Sequence, residues 1–93
     1  MKFNRVSNVG GNTYYAKKEE MKISDFFFLM NEIARILKVK LESISIPEAE
    51  IIKMTLGNGE IYAKYDLDYD IEIDCNGMSD EDQNKIESIL MIS

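Results

Sequence analysis

A strict alternation of apolar and polar side chains runs through residues 61–75 and constrains the fold more than any other part of the sequence. Odd positions hold apolar or aromatic residues, whereas even positions hold Tyr62, Lys64 and then only carboxylates. This two-residue period predicts β-structure, because successive side chains of a strand point to opposite faces of the sheet. One face can seal a core. The other face presents five carboxylates: Asp66, Asp68, Asp70, Glu72 and Asp74.

The alternating segment is too long to be one straight strand in a small domain. Its fifteen residues would extend about 50 Å at about 3.3 Å per residue, whereas a compact chain of this length has a radius of gyration of about 12 Å. Turns of two or four residues would invert the facing parity, which the sequence preserves, so the chain is predicted to reverse or bulge at residues 68–70. A further strand then covers residues 71–76, with Asp66 and Glu72 as near neighbours across the sheet.

A hairpin signal precedes this segment. Two apolar-rich stretches flank Asn58-Gly59, a dipeptide typical of two-residue hairpin turns. A turn at these two residues opposes Met54 to Ala63, which places the apolar side chains of both strands on one face. Together with residues 71–76, the hairpin forms a predicted three-stranded antiparallel meander.

Residues 25–38 carry apolar side chains at helical spacing and predict the main helix. Ser24 is suited to cap its first turn, and Asp25 suits the positive end of the helix dipole. Phe28 is the one large apolar residue on the polar side of this helix. Either the N-terminal segment covers it, or it anchors a partner or a second copy, since exposed aromatic residues rimmed by charge are typical of interfaces.

Residues 80–92 predict a last helix after Ser79, which is a suitable N-cap. One side of this helix is apolar and should pack on the sheet through Ile86, Ile89 and Leu90. Carboxylates are favoured in a first helical turn, and this turn contains three, which extend the acidic surface: Asp80, Glu81 and Asp82.

The N-terminal region has a weaker pattern. Residues 2–16 indicate a hairpin around Gly10-Gly11, because glycine and the flanking asparagines accept positive φ angles. A partly mobile arm over residues 1–20 is the competing interpretation.

Residues 39–49 are predicted to cross over without regular structure. Pro47 cannot lie inside a central strand or a helix. The apolar side chains of this segment would then pack into the core: Leu41, Ile44 and Ile46.

These elements predict an α+β fold in a single domain of residues 1–93: a three-stranded meander packed against one long helix and a C-terminal helix, with an N-terminal hairpin. A hydrophobic content of 45% and a charged content of 30% are typical of globular proteins. The longest apolar run is five residues, against the roughly 20 of a membrane-spanning helix, and the N-terminus has no hydrophobic secretion signal. We expect a cytoplasmic protein, located in the host cytoplasm if it is phage-encoded.

The residue types that carry most enzyme chemistry are scarce. The chain contains no His and one Cys, which excludes Ser-His-Asp triads, Cys-His nucleophiles and tetrahedral zinc sites. Cys75 has the parity of the buried face, where a thiol acts as a small hydrophobe. The Asp-x-Asp-x-Asp run at residues 66–70 begins like a calcium loop, but Ile71 and Gly77 occupy the places that require glycine and glutamate. We therefore expect no catalytic residue, no metal site and no cofactor.

Charge is distributed unevenly along the chain. Residues 1–46 contain eight Lys or Arg and five acids, a balance of +3, whereas residues 47–93 contain three Lys and twelve acids, a balance of −9. Between Asp66 and Asp82 there are eight acids and no base. Such a field repels nucleic acid and attracts basic protein surfaces. The expected partner is thus the basic surface of a nuclease or an effector complex, without direct binding of nucleic acid or membrane.

The function that these features favour is inhibition by binding. Carboxylates on one strand face are spaced about 6.6 to 7 Å apart, like successive phosphates of an extended strand, and could occupy a basic groove that normally holds nucleic acid. Small phage proteins that block host defence nucleases, including anti-CRISPR proteins, act in this general manner, and the likeness is one of size and charge only. Tyr62 would add a stacking surface and Phe28 a separate anchor. The remaining predicted contact residues are Asp66, Asp68, Asp70, Glu72, Asp74, Glu60, Asp80, Glu81 and Asp82.

Three alternatives use the same features differently. An immunity protein would direct the acidic face against a basic nuclease toxin. An interaction or structural module would join its complex, or a second copy, through Phe28 and an open sheet edge. A purely solubilising surface would keep exposed edges from pairing, although such surfaces usually mix both signs of charge.

Overall fold

A computed structural model describes residues 3–90 and shows one antiparallel sheet with two helices on one of its faces. The strand order across the sheet is β1-β2-β6-β5-β4-β3, and every neighbouring pair is antiparallel. The fold is therefore α+β, as predicted, but the sheet has six strands rather than three. In chain order the elements are β1 (Asn4–Asn8), β2 (Gly11–Ala16), a 3-10 turn (Lys18–Glu20), α1 (Ile23–Leu37), β3 (Leu41–Ile46), β4 (Ala49–Leu56), β5 (Gly59–Asp66), β6 (Ile71–Asn76) and α2 (Asp80–Leu90).

The N-terminal hairpin is present and extends the predicted meander. β1 and β2 pair around a two-residue turn in which Gly10 has a φ of 96°, a value that glycine adopts without strain. β2 then pairs along the whole of β6, with Tyr14 opposite Ile73. The carbonyl of Gly10 also accepts the amide of Gly77 at 3.0 Å. β6 is consequently an interior strand of the sheet instead of its edge.

The predicted crossover at residues 39–49 is wrong, because this segment forms the edge strand β3. Leu41 packs partly against the core, but Ile44 and Ile46 are 48% and 42% exposed instead of tucked inside. Pro47 lies in the two-residue turn between β3 and β4, where its missing amide costs no ladder hydrogen bond. The proline ends a strand here and does not prevent one.

The alternating segment reverses where predicted. β5 ends at Asp66 and β6 begins at Ile71, and the two strands pair in the register that preserves the facing parity. The longest principal extent of the molecule is 31 Å and its radius of gyration is 12.2 Å, so a straight strand of about 50 Å would not fit. One detail differs from the expectation, since Lys64 rather than Asp66 lies directly opposite Glu72.

The β4–β5 hairpin forms with its turn one residue earlier than predicted. Leu56 pairs with Gly59, so the turn residues are Gly57, with a φ of 53°, and Asn58. Met54 therefore faces Ile61 and not Ala63. Gly59 lies close to a neighbouring segment, because a Cβ at this position would lie 3.0 Å from the carbonyl oxygen of Gly77, a tight contact. The register shift is two residues, so the assignment of side chains to faces survives.

Both helices form, with one change at the start of α1. Lys22, and not Ser24, is the N-cap, and its amide donates to the Asp25 carboxylate at 3.3 Å. Lys38 caps the C-terminus of α1 in a left-handed conformation with a φ of 58°. In α2, Ser79 caps the helix as predicted by accepting the amide of Asp82 at 3.2 Å. The predicted end of this helix at residues 91–92 lies outside the described residues.

Neither helix between residues 3 and 90 has the length and apolar character to cross a membrane.

The core lies between the helices and one face of the sheet. Phe26 of α1 packs on Tyr65 of β5 with ring centroids 5.5 Å apart, and the Tyr65 hydroxyl donates to the carbonyl of Met21 at 2.8 Å. Cys75 is fully buried in this core, as its parity predicted, and burial raises the pKa of its thiol to about 12. The other fully buried side chains include Met30, Ile33, Ile52, Met54, Ile61, Ile71, Ile73 and Ile86.

Candidate interaction surface

The two helices pack on one face of the sheet, and we call the other face, on which neither helix packs, the open face. The cross-strand register fixes which side chains it presents, because directly paired residues share a face. Most of them are polar, in contrast to the helix-covered face. They are Asn4, Val6 and Asn8 of β1; Thr13 and Tyr15 of β2; Glu72, Asp74 and Asn76 of β6; Glu60, Tyr62, Lys64 and Asp66 of β5; Ala49, Ile51, Lys53 and Thr55 of β4; and Glu42, Ile44 and Ile46 of β3.

Two carboxylates and two tyrosines occupy the centre of the open face. Glu72 and Asp74 are consecutive outward side chains of β6. Tyr15 of β2 lies directly opposite Glu72, and Tyr62 of β5 lies directly opposite Asp74. The tyrosines are 37% and 38% exposed, so each carboxylate stands beside an aromatic side chain that solvent reaches.

Asp74 is held in place by neighbours from the N-terminal hairpin. The Thr13 hydroxyl donates to Oδ1 of Asp74 at 2.7 Å, and the side-chain amide of Asn8 donates to Oγ1 of Thr13 at 3.1 Å. Thr13 is buried. This chain of hydrogen bonds across three strands orients one oxygen of Asp74.

Glu72 lies in an environment that disfavours its negative charge. Partial burial raises the pKa of Glu72, the adjacent Asp74 carboxylate raises it further, and Lys64 lowers it only in part. Within residues 3–90, no ammonium or guanidinium group comes within ion-pair distance of Glu72 or Asp74. A cation supplied from outside would therefore relieve repulsion between the two.

Two lysines make the open face less uniformly acidic than predicted. Lys64 forms an ion pair with Asp66 at 3.8 Å, and Lys53 of β4 forms one with Glu60 at 3.7 Å. Lys53 lies directly opposite Tyr62 only because of the observed β4–β5 register. Glu60 and Asp66 thus have local ion-pair partners, whereas Glu72 and Asp74 at the centre of the face and Glu42 on β3 have none among residues 3–90.

The acidic line is broken at the β5–β6 loop. Asp66 is buried, and its Oδ1 accepts the amide of Asp68 at 2.8 Å, which shapes the loop. Asp70 lies 4.0 Å from the Lys17 ammonium, and Lys18 donates to the carbonyl of Leu67. Asp68 and Asp70 thus lie in the loop at the predicted reversal, which is tied to the 3-10 turn, so the five carboxylates do not form one continuous line on the strands.

The remaining predicted contact residues lie on the helical side of the sheet. Asp80, Glu81 and Asp82 begin α2, which packs on the covered face through Ile86 and Leu90. They cannot extend the open face as one flat surface. Phe28 is 68% exposed on α1, so the N-terminal hairpin does not cover it, and it too is separate from the open face.

A cluster of polar side chains joins α2 to the covered face. The Tyr14 hydroxyl donates to Glu87 at 2.7 Å, Arg5 donates to the same carboxylate at 2.9 Å, and Gln83 donates to the Tyr14 hydroxyl. Partial burial alone would raise the pKa of Glu87, but the hydrogen bonds from Tyr14 and Arg5 together lower it. Burial raises the pKa of Tyr14. Every ionic group here is satisfied, so the cluster pins α2 to the sheet.

The sequence did not predict four residues around Glu72 and Asp74 on the open face. Tyr15 and Thr13 lie opposite these carboxylates, Lys53 lies opposite Tyr62, and Lys64 forms an ion pair with Asp66. Their positions depend on which strands become neighbours, and the alternation within each strand does not encode that. The residues between 3 and 90 enclose no pocket and contain no group of three or more His, Cys, Asp or Glu arranged to hold a metal. Comparisons with protein-family models, curated proteins and solved structures found no match to this chain.

Proposed function

We propose that the chain is a binding protein that engages a basic protein surface through its open face and thereby inhibits a protein that handles nucleic acid. The observation that carries this proposal is the pair Glu72 and Asp74, two adjacent carboxylates without an ion-pair partner among residues 3–90. Tyr15 and Tyr62 flank them and are partly exposed. Carboxylates beside aromatic faces suit guanidinium groups, which combine paired hydrogen bonds with stacking.

The contact proposed here is narrower than a continuous mimic of a nucleic-acid backbone. The Cα atoms of Glu72 and Asp74 are about 6.6 to 7 Å apart along β6, the spacing of adjacent same-face positions in a strand. Beyond them the line of charges stops, because Asp66 is paired with Lys64 and Asp70 lies near Lys17. The proposed partner surface therefore presents a small number of basic side chains to the centre of the sheet. The helix-side acids would act through long-range attraction only.

A matched pair of charge-removing variants tests the proposal. Glu72→Gln with Asp74→Asn removes the central charges and keeps side-chain shape, whereas Asp80→Asn with Glu81→Gln removes the same charge from α2. The immobilised proteins would capture partners from a lysate at low and high salt, with competing DNA in a parallel sample. We expect the wild type and the α2 variant to retain a basic nucleic-acid-binding protein that salt and DNA displace, and the open-face variant to lose it.

The outcome that would contradict this function is capture that is insensitive to salt and unaffected by the open-face variant. An assay of the captured protein on its nucleic acid then separates inhibition from mere binding. The same surface could serve an immunity protein, and a neighbouring toxin gene would identify that role, whereas neighbouring phage genes would favour counter-defence.

A second candidate function rests on Phe28. Its ring is 68% exposed on α1 between charged neighbours, including the ion-paired Glu32 and Arg35. An isolated aromatic side chain with a charged rim suits an anchor in a partner's pocket. Loss of capture in Phe28→Ala, with capture retained in the open-face variant, would assign the protein to this class of interaction module.

A further inference from the structure

The second half of the edge strand β3, residues 43–46, has no charged side chain, proline or bulge. Proteins commonly shield an edge with lysine, proline, bulges or a covering loop. Residues 43–46 of β3 read Ser-Ile-Ser-Ile, have no charge, and pair with β4 without a bulge. Ile44 and Ile46 are 48% and 42% exposed on the open face, beside the buried Ile51 of β4. The edge therefore offers both free backbone groups and apolar surface.

The turn after β3 determines which backbone groups are free. Ile46 and Ala49 flank a two-residue turn and form the pair nearest to it. In a two-residue hairpin, the pair of residues next to the turn exchanges backbone hydrogen bonds, and so does every second pair along the two strands. The residues between them direct their N–H and C=O groups away from β4. These outward residues of β3 are Leu41, Ser43 and Ser45.

We propose that β3 pairs antiparallel with β3 of a second copy of this chain, with Ser43 on the two-fold axis. In this register Ser43 pairs with Ser43 of the other copy and Leu41 pairs with Ser45. All the outward groups of both strands are then used, which gives about six hydrogen bonds between the copies. Since the strand complements itself, the occupant that fits the whole edge is a second copy.

Side-chain charge favours the same register. With Ser43 on the axis, Glu42 of one copy lies opposite Ile44 of the other, and Lys40 lies opposite Ile46, so no like charges are directly opposite each other. The two Glu42 side chains are diagonal neighbours, at a greater separation than a directly opposed pair. A shift that moves the axis to residue 42 would place two Glu42 carboxylates directly opposite each other, which is unfavourable. The proposed pairing also brings the two exposed Ile44 side chains into diagonal contact across the interface.

The opposite edge of the sheet lacks these properties. β1 reads Asn-Arg-Val-Ser-Asn, and its turn directs Arg5 and Ser7 outward by the same rule. The Arg5 guanidinium is held by Glu87 of α2 at 2.9 Å, which places a cation at this edge. Val6 is its one apolar side chain. The two edges therefore supply a matched pair of positions, Ser43 and Ser7, for an experiment.

Sedimentation velocity over a wide concentration range, with Ser43→Pro and Ser7→Pro as the paired variants, tests the association. Proline removes the outward amide, and a monomer tolerates it on an edge strand whose amide faces solvent. We expect the wild type to shift from 10.7 kDa toward twice that mass as concentration rises. Ser7→Pro should shift toward the dimer mass like the wild type, whereas Ser43→Pro should remain monomeric with an unchanged circular dichroism spectrum.

Charge complementation tests the register itself. Ser43→Lys and Ser43→Glu each place like charges face to face on the axis, and each alone should associate about fivefold more weakly, which corresponds to about 1 kcal/mol. An equal mixture of the two should recover association, and recovery shows that both variants fold. The proposal would be overturned if the wild type stays monomeric at every concentration, or if the mixture of the two variants associates no more tightly than each variant alone.

Discussion

Tyr14 and Tyr15 are the same residue type on opposite faces of the sheet, and they play different roles. These neighbours lie on β2, and the two-residue period of a strand sends them to opposite faces. Tyr14 is fully buried, and its hydroxyl bonds to Glu87 and Gln83 of α2. Tyr15 is 37% exposed beside Glu72. A tyrosine on the covered face therefore stabilises the fold, whereas one on the open face is available to a partner.

The glutamates on the two faces follow the same division. Glu87 receives hydrogen bonds from Tyr14 and Arg5, which outweigh its partial burial and lower its pKa. Glu72 is partly buried next to Asp74, and both effects raise its pKa. The covered face thus stabilises the charged form of Glu87. The surroundings of Glu72 on the open face disfavour its charged form. Carboxylates whose pKa is raised in this way are candidates for functional groups.

The largest test of this division compares the consecutive residues Ile61 and Tyr62 of β5. Ile61 is fully buried, and Ile61→Ala should lower the free energy of unfolding by about 2–5 kcal/mol, through lost transfer energy and a cavity. Tyr62→Ala should cost under about 1 kcal/mol, because it removes only cross-strand contacts. Urea denaturation followed by circular dichroism measures both.

Because a small domain has limited stability, Ile61→Val provides a milder control, with an expected loss of about 0.5–1.5 kcal/mol. Equal losses for Ile61→Ala and Tyr62→Ala would contradict the division, since they would mean that something covers the open face in solution.

The second test compares Tyr14→Phe with Tyr15→Phe. Removal of the Tyr14 hydroxyl takes a hydrogen bond from the Glu87 carboxylate and leaves the Gln83 amide without its acceptor, so stability should fall by about 1–2 kcal/mol. The Tyr15 side chain donates no hydrogen bond to another residue between 3 and 90, so Tyr15→Phe should change stability by less than about 0.5 kcal/mol. A loss of similar size in both variants would show that Tyr15 is also a structural residue.

The difference between the faces also explains which parts of the molecule the sequence could predict. The alternation in residues 61–75 predicted two strands, their reversal and the burial of Cys75, because a strand period is a local property. The pairing of β2 with β6 is non-local, and no local pattern carries it. It decides that Tyr15 stands beside Glu72.

Two other misses have the same origin. Gly57-Asn58 and Asn58-Gly59 are both suitable turn dipeptides, so the local sequence does not decide between them, and in the structure Gly57 and Asn58 form the turn while Gly59 lies close to Gly77 of another segment. The acidic patch was overestimated because Lys53 and Lys64 reach Glu60 and Asp66 only in the folded sheet. Local periodicity thus predicts faces, and tertiary pairing decides the chemistry on them.

The smallest effect expected is the opposite pH response of Glu87 and Glu72. Glu87 has a folded pKa below its usual value of 4.5, so its contribution to stability is present above that value and is lost as pH falls through the folded pKa. Glu72 has a raised folded pKa, so its charge reduces stability above that pKa, and the penalty disappears as pH falls. The two residues therefore affect the pH dependence of unfolding with opposite signs.

Isosteric variants separate the two contributions. Glu87→Gln should destabilise the protein at pH 7 and much less in acid, whereas Glu72→Gln should stabilise it slightly at pH 7 and have little effect in acid. Urea midpoints at several pH values measure this difference. If Glu72→Gln stabilises the fold and also abolishes partner capture, the carboxylate is retained for binding at the expense of stability. If Glu72→Gln destabilises the fold at pH 7, Glu72 stabilises the fold, and the contrast between the two faces is wrong for this residue.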